Sequence, residues 1–133
     1  MIGLRFWGGS LKKIKIDPAD TAFSLYIRNR DGWTCQRCGT RYVPPTNGLQ
    51  CSHYFGRRRE NTRFDPENCD ALCTGCHQYF GSDDREAYRD FKIRQLGQER
   101  HDLLVLRANT YKKKDRKLAL IVAREMLKGV SGE

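Results

Sequence analysis

The sequence predicts a small α+β domain, with a short two-stranded core held together by a four-cysteine metal site, one helix before it and several helices after it. Three observations support this fold class. Two Cys-x2-Cys pairs enclose an irregular central segment, two short strand-like runs lie inside that segment, and apolar residues recur at helical spacing on both sides of it. With 133 residues the chain has room for one domain with helical flanks and not for two full domains.

Three segments are predicted along the chain: an N-terminal arm over residues 1–16, a metal-binding core with a leading helix over 17–81, and a helical extension over 82–133. The leading helix is indicated by Asp17 as its N-cap and Pro18 as its first residue. Apolar side chains then recur three and four positions apart, so one face of this helix is expected to pack against the core.

Inside the core, strands are predicted around residues 49–55 and 68–72, and a helix is expected to begin near Thr74. In the extension, Asp83 followed three residues later by Glu86 predicts a helix start.

Gly97 is expected to end that helix, and two more helices should follow. The last of them is predicted over about 112–128, with an apolar face formed by Leu118, Ile121, Val122 and Met126.

The charge of the chain points to a class of partner. It carries 25 Lys and Arg residues against 16 Asp and Glu, a formal net charge of +9, which favours a polyanion and most often nucleic acid. The sequence has no run of about 18 apolar residues, which excludes a membrane-spanning helix. Residues 1–9 are too short and too interrupted for a signal-peptide core, so we expect a cytoplasmic location.

The two Cys-x2-Cys pairs are Cys35 with Cys38 and Cys73 with Cys76, separated by 34 residues. In a reducing compartment such pairs are more often metal ligands than disulfides. Two pairs can present four thiolates to one tetrahedral zinc ion, which would supply stability that a small core lacks.

Other interpretations of the cysteines stay open. The pairs could form disulfides in an oxidising compartment or act as a redox motif, and the run Cys73–His77 matches a covalent haem attachment motif. The remaining Cys51 and Cys69 are predicted to be small buried side chains, with metal contact by Cys51 as a lesser option.

Three further residues stand inside or directly after the cysteine-bounded segment: His53, Asn68 and His77, with spacings of 15 and 9. With them the sequence resembles the HNH endonucleases in the version that carries a four-cysteine zinc site. The stretches Tyr26–Gly32 and Arg63–Asp65 also resemble phage proteins of the NinG recombination type. The resemblance covers about residues 22–80. Its motifs are Cys35-x2-Cys38, Ser52-His53, Asp65-x2-Asn68 and Leu72-Cys73-x2-Cys76-His77.

This resemblance implies a ββα-metal (HNH) core and metal-dependent DNA cleavage. His53 would be the general base that takes a proton from water, since a histidine can do so near neutral pH. In the family the asparagine equivalent to Asn68 orients the base. His77 would ligate a catalytic divalent cation, Mg²⁺, Mn²⁺, Ni²⁺ or Zn²⁺, acting as a Lewis acid.

Ser52 stands where many members of that family have an acidic residue or a histidine as a metal ligand. A neutral hydroxyl is a poor ligand for a hard cation. The ligand set is therefore open: Ser52 could take part, or Asp70 or Cys51 could help.

Two basic clusters are candidate DNA contacts. The loop after the first predicted strand carries Arg57, Arg58, Arg59 and Arg63, and guanidinium groups suit phosphate contacts. Lys112, Lys113 and Lys114 stand at the predicted start of the last helix. A solvated surface is the alternative for both clusters: the position of the arginine loop beside His53 favours DNA contact, whereas for the lysines the two interpretations are equally open. No base-reading motif is present, which predicts weak sequence specificity.

The sequence thus predicts a metal-dependent DNA endonuclease in the cytoplasm of a bacterial or phage-infected host cell. The alternative is a DNA-binding or recombination accessory protein with a structural zinc and weak or no nuclease activity, and a third option is an interaction module that uses zinc only to fold. DNA is the expected partner, with phage packaging or recombination proteins as further candidates.

Overall fold

The computed structural model describes residues 15–131, so almost all of the predicted arm over residues 1–16 lies outside the described part. Six helices and two strands follow one another in that part. They are α1 (Pro18–Arg30), β1 (Leu49–His53), α2 (Glu60–Arg63), β2 (Cys69–Cys73), α3 (Thr74–Gln78), α4 (Arg85–Leu96), α5 (Gln98–Ala108) and α6 (Arg116–Ser131). This architecture confirms the small α+β class and the two-stranded core.

The two strands form an antiparallel sheet in which Leu49 pairs with Cys73 and His53 pairs with Cys69. A short 3-10 turn, Pro66–Asn68, leads into β2, and α3 begins directly after β2 ends. The strands and the α3 start therefore lie within a residue or two of their predicted positions. This register places one predicted metal-binding cysteine at one end of the sheet and the predicted base at the other.

Helix α1 packs on one face of the sheet. Asp17 caps it, because its Oδ1 accepts a hydrogen bond from the backbone N of Ala19 at 2.9 Å. Its apolar face joins a buried cluster with α6 and β2 that comprises Ala22, Phe23, Ile27, Cys69 and Ala123. At its other end, Arg30 donates to the carbonyl of Cys69 at 2.7 Å, which fixes α1 against β2.

The other face of the sheet is covered by α4. A second buried cluster here includes Leu72, Phe80, Tyr88 and Leu104. The ion pair of Lys92 with Asp70 spans this interface at 2.9 Å, and both side chains are fully buried.

Two helix starts differ from prediction. Helix α4 is capped by Asp84, whose Oδ1 accepts from the N of Ala87 at 2.9 Å, because the preceding π-helical turn continues through Asp83. Helix α6 begins at Arg116, so the three lysines at 112–114 lie in the irregular segment before it. Lysines would oppose the dipole of a helix N-terminus, whereas Asp115 can cap it, and its Oδ1 accepts from the N of Leu118 at 3.0 Å.

The predicted apolar face of α6 is wrong in part. Leu118, Ile121 and Val122 are exposed, whereas Ala123 is buried against α1 with Leu120 and Met126 beside it. Small alanines on both helices allow α1 and α6 to approach closely, and this approach selects a different face from the one that carries the largest apolar residues. Within residues 15–131, no helix combines the length and apolar character needed to cross a membrane.

Candidate functional site

The four paired cysteines converge on one point. The Sγ atoms of Cys35, Cys38, Cys73 and Cys76 all lie within 4.8 Å of one another. Those of Cys38 and Cys73 are 3.8 Å apart, close to the spacing of about 3.8 Å that follows from tetrahedral zinc–thiolate bonds of about 2.3 Å. The donor set and its geometry therefore fit a closed, structural zinc site.

Local backbone geometry aims these thiols inward. In the first turn, Gly39 has a φ of +79° and donates to the carbonyl of Cys35 at 2.8 Å, which closes the loop around the pair. In the second, Cys73 is the N-cap of α3, and the backbone N of Cys76 donates to its Sγ at 3.4 Å. Both turns thus direct their thiols toward the point where a bound ion would lie.

Neighbouring donors support thiolates at this centre. Hydrogen bonds from Thr40 are the main reason that the pKa of Cys38 falls to about 6. Burial raises the pKa of Cys76 to about 12, although Arg37 donates to its Sγ at 3.4 Å and opposes that rise. A zinc ion would bind Cys38 as the thiolate already present at neutral pH and would displace the proton of Cys76.

His53 ends strand β1, and a single hydrogen bond defines which of its ring nitrogens is free. Its Nε2 donates to the backbone carbonyl of Arg63 at 2.8 Å, so Nδ1 is the nitrogen that can accept a proton. Burial lowers the pKa of His53 below its ordinary value, and the charges of Arg57 and Arg63 lower it further. The neutral imidazole is therefore the form present near pH 7.

Asn68 organises the loop that provides this carbonyl. Its buried side chain accepts from the N of Phe55 at 2.9 Å and donates to the carbonyls of Phe55 and Thr62 at 2.9 and 3.0 Å. These bonds tie the start of the loop to its end, next to Arg63. Asn68 thereby orients the acceptor that holds His53, rather than contacting the imidazole itself.

His77 lies on α3, one residue after the last cysteine of the zinc centre. Its Nδ1 is buried and has no hydrogen-bond partner in the part of the chain that the structure describes. Burial lowers the pKa of His77, so its imidazole is neutral and able to bind a cation. His53 and His77 both line two adjoining grooves of about 820 and 400 Å³. The structure therefore brings the predicted base and the predicted metal ligand to one place.

Ser52 and Asp70 face the opposite side of the sheet. Successive strand residues point to opposite faces, and Ser52 shares a 2.9 Å hydrogen bond with the hydroxyl of Tyr88 on α4. Asp70 accepts from Lys92 at 2.9 Å on that side. Neither residue lines the grooves beside His53. This geometry does not favour Ser52 or Asp70 as ligands of an ion at His77.

The two basic clusters meet in one larger groove of about 1110 Å³. Its lining has eight basic side chains and three acidic ones: Lys15, Arg57, Arg58, Arg59, Arg63, Lys112, Lys114 and Arg116, with Asp17, Asp20 and Glu60. Lys113 is not part of the lining. Arg57 also lines the groove at His53, so the basic groove leads to the predicted base.

Several of these basic residues also bind within the protein. Arg63 forms an ion pair with Asp20, and Arg59 donates to Asn109 Oδ1 at 2.6 Å. Arg116 binds Asp17 and Glu60, both at 2.7 Å. These contacts hold the loop after β1 against α1, α5 and α6. Lys15, Arg58, Lys112 and Lys114 are the exposed basic side chains of the groove for which the structure shows no such contact among the described residues.

Sequence reasoning missed three features of the site. It assigned no role to Lys15, which lines the basic groove, or to Arg28, which lines the groove at His53. An isolated basic residue carries no signal of its position, because any of the exposed faces could hold it. The sequence also predicted small buried side chains for Cys51 and Cys69, with metal contact by Cys51 as a lesser option, and it did not show that both lie beside His53.

The fold and the site define a small α+β protein with a candidate zinc centre and a basic groove that leads to two histidines. Residues 10–129 match the family described as the bacteriophage lambda NinG protein, and the chain belongs to that family. This match confirms the phage NinG-type resemblance. A search of curated proteins found no match, and a search of solved structures found none. Membership of the HNH endonucleases stays a prediction.

Proposed function

We propose that this protein is a metal-dependent DNA endonuclease of the HNH type that hydrolyses phosphodiester bonds with weak sequence specificity. One observation carries the proposal: the 2.8 Å bond from His53 Nε2 to the carbonyl of Arg63 leaves Nδ1 free as a base in a groove shared with His77. Nicking of supercoiled plasmid in the presence of Mg²⁺, Mn²⁺, Ni²⁺ or Zn²⁺ tests it.

In this proposal His53 Nδ1 takes the proton of the attacking water, and Asn68 acts as a positioning residue. The Asn68 side chain holds the loop, the loop presents the carbonyl of Arg63, and that carbonyl fixes the tautomer of the imidazole. A general base must be unprotonated and oriented toward its proton. The hydrogen bonds and the lowered pKa of His53 meet both conditions.

His77, which lines both grooves, is the candidate ligand of the catalytic divalent cation. When bound, such an ion polarises the scissile phosphate and stabilises the leaving oxygen. The four-cysteine centre fixes the start of α3 and with it the position of His77, one residue beyond Cys76. The structural metal and the catalytic site are thereby coupled through one short helix.

The basic groove is the proposed path of the DNA backbone. Exposed Arg58, Lys112 and Lys114 lie along it, and Arg57 lies where it joins the groove at His53. Phosphate contacts of this kind give affinity without reading sequence. Membership of a phage family supports phage DNA as the substrate and phage recombination or packaging proteins as partners.

Replacing Lys112 and Lys114 together by alanine is expected to weaken DNA binding and to reduce its dependence on salt. Each phosphate contact contributes a slope of about 0.9 in a plot of log affinity against log salt concentration, so the slope should fall by roughly 2. The matched control is Lys113→Ala with Lys117→Ala, which removes the same charge from exposed residues outside the groove. Equal slopes for the two double variants, measured by fluorescence anisotropy, would contradict the proposed path.

The pH dependence of cleavage should reflect the lowered pKa of His53. The base works only when unprotonated, so kcat/KM is lost as the pH falls through this pKa, and the acid limb should lie below pH 6.5. His77 must also be neutral to bind a cation, and burial lowers its pKa too. A limb centred above pH 6.5, with DNA binding unchanged over the same range, would argue against His53 as the base.

The second candidate function is a DNA-binding or recombination accessory protein with a structural zinc and little or no nuclease activity. A specific observation favours it: among the described residues, 15–131, Asp20 is the sole carboxylate that lines the two grooves at His77, and it is paired with Arg63. Hard cations prefer carboxylate oxygens. DNA binding without nicking in any of the four divalent ions would select this function.

A further inference from the structure

We propose that Cys51, His53 and Cys69 form a second metal site, separate from the four-cysteine centre, that binds a thiophilic divalent cation such as Zn²⁺. The two Sγ atoms and a ring nitrogen of His53 all lie within 4.8 Å of one another. The sheet produces this cluster, since His53 pairs with Cys69 across the strands and Cys51 stands two residues before His53 on the same face.

The donor set is one that zinc accepts. Two thiolates and one imidazole, with a fourth position left to water or another ligand, form a known zinc coordination pattern. Ligand atoms around a tetrahedral zinc are separated by about 3.3–3.8 Å, as follows from bond lengths of about 2.0–2.3 Å. The present separations of up to 4.8 Å therefore need to shorten by roughly 1 Å, which side-chain rotation can supply.

The hydrogen bond of His53 has the arrangement expected of a metal ligand. Metal-bound imidazoles generally donate the other ring N–H to a carbonyl or carboxylate, which orients the ring. His53 Nε2 already donates to the carbonyl of Arg63 at 2.8 Å, so Nδ1 is the atom available to an ion.

The surroundings provide access and charge balance. Cys51 and His53 line the groove of about 820 Å³, whereas Cys69 is fully buried beneath them, so an ion would enter from the groove with its fourth position facing it. Arg28 lines the same groove and interacts electrostatically with Cys51. Its positive charge would partly balance the negative charge of two thiolates bound to an ion.

Metal binding at this second site would compete with catalysis. This consequence rests on the proposed function, whereas the metal site itself does not depend on it. Nδ1 of His53 cannot hold a metal ion and accept a proton at the same time. Mg²⁺ and Mn²⁺ prefer oxygen ligands and would not bind the two cysteines, whereas Zn²⁺ binds thiolates. Zinc beyond the amount held by the four-cysteine centre would therefore inhibit cleavage supported by Mg²⁺ or Mn²⁺.

Metal content of the full chain tests the site without reference to activity. After equilibration with buffered Zn²⁺ and gel filtration, the wild type should retain about two zinc ions and Cys51→Ala about one. Ser24→Ala, which alters a groove residue that is not a proposed ligand, should retain about two. About one zinc in the wild type, or equal content in the wild type and Cys51→Ala, would overturn the proposal.

Cobalt titration of the wild type decides the question even if Cys51→Ala does not fold. Thiolate-to-cobalt absorption should rise in two phases, the second with less intensity because it reports two thiolates instead of four. A single phase would overturn the site.

In plasmid nicking with Mn²⁺, Cys51→Ala should need at least 10- to 100-fold more Zn²⁺ for half-inhibition. This is the loss of affinity known when only a ligand's supporting partner is removed. Equal inhibition would overturn the competition at His53, and an inactive wild type would overturn the nuclease proposal while the metal contents still decide the site.

Discussion

Replacing His53 by alanine is expected to lower the rate of DNA cleavage by about 10²- to 10⁴-fold, the contribution typical of a positioned general base. The imidazole is neutral because burial lowers its pKa, and its Nδ1 is the free nitrogen because Nε2 donates to the carbonyl of Arg63. Alanine removes the base but leaves the basic groove intact. DNA affinity, measured by gel shift, should therefore change little.

His53→Gln is the matched control. The glutamine amide can still donate a hydrogen bond toward the carbonyl of Arg63 but cannot accept a proton at neutral pH. If orientation of the loop were the sole role of His53, this variant would keep most of the activity, whereas a general base predicts that both variants are nearly inactive. Equal nicking by the wild type and His53→Ala would contradict the catalytic assignment.

Removing zinc from the four-cysteine centre is expected to unfold the protein. Structural zinc contributes about 10–16 kcal/mol of apparent binding free energy in small zinc-binding peptides at pH 7, which is comparable to the whole stability of about 5–15 kcal/mol of a typical domain. The centre links the turn at Cys35 to the junction of β2 with α3, and it adds to the backbone hydrogen bond from the N of Gln36 in that turn to the carbonyl of Ala71 in β2 at 2.9 Å. Chelation should thus abolish cooperative thermal unfolding and much of the helical circular dichroism signal.

Cys38→Ser, which changes an exposed ligand of the centre, should reproduce much of this loss. Cys51→Ser is the control, because Cys51 lies outside the four-cysteine centre and should leave the chelator-sensitive melting transition in place. A chelated protein that keeps its melting temperature would contradict the structural role of zinc.

The short-range features of the fold were predictable from the sequence. Asp17 and Pro18 begin α1 as expected, since capping depends on neighbouring residues alone. The pattern Cys-x2-Cys places two thiols on one turn whatever surrounds it, and the four thiols do meet. The start of α4 was misplaced by one residue because a π-helical turn, which has no clear sequence signal, extends through Asp83.

Long-range features were not predictable in this way. Nothing in the order of residues shows that Lys112 and Lys114 line the same groove as Arg58, because that depends on how α5 and α6 pack beside the loop after β1. The buried face of α6 is set by close packing of Ala123 against α1 rather than by its own pattern of large apolar residues.

By itself, the sequence determined the four-cysteine site, the two strands, the start of α1 and the excess positive charge, because each depends on residue type and short spacing. Tertiary structure alone decided that Ser52 faces Tyr88, that His53 donates to the carbonyl of Arg63, and that Cys51 and Cys69 lie beside it. The physical reason is that strand register and helix packing set distances between residues far apart in the chain. Those distances decide which side chains act as a base, as a metal ligand or as part of the core.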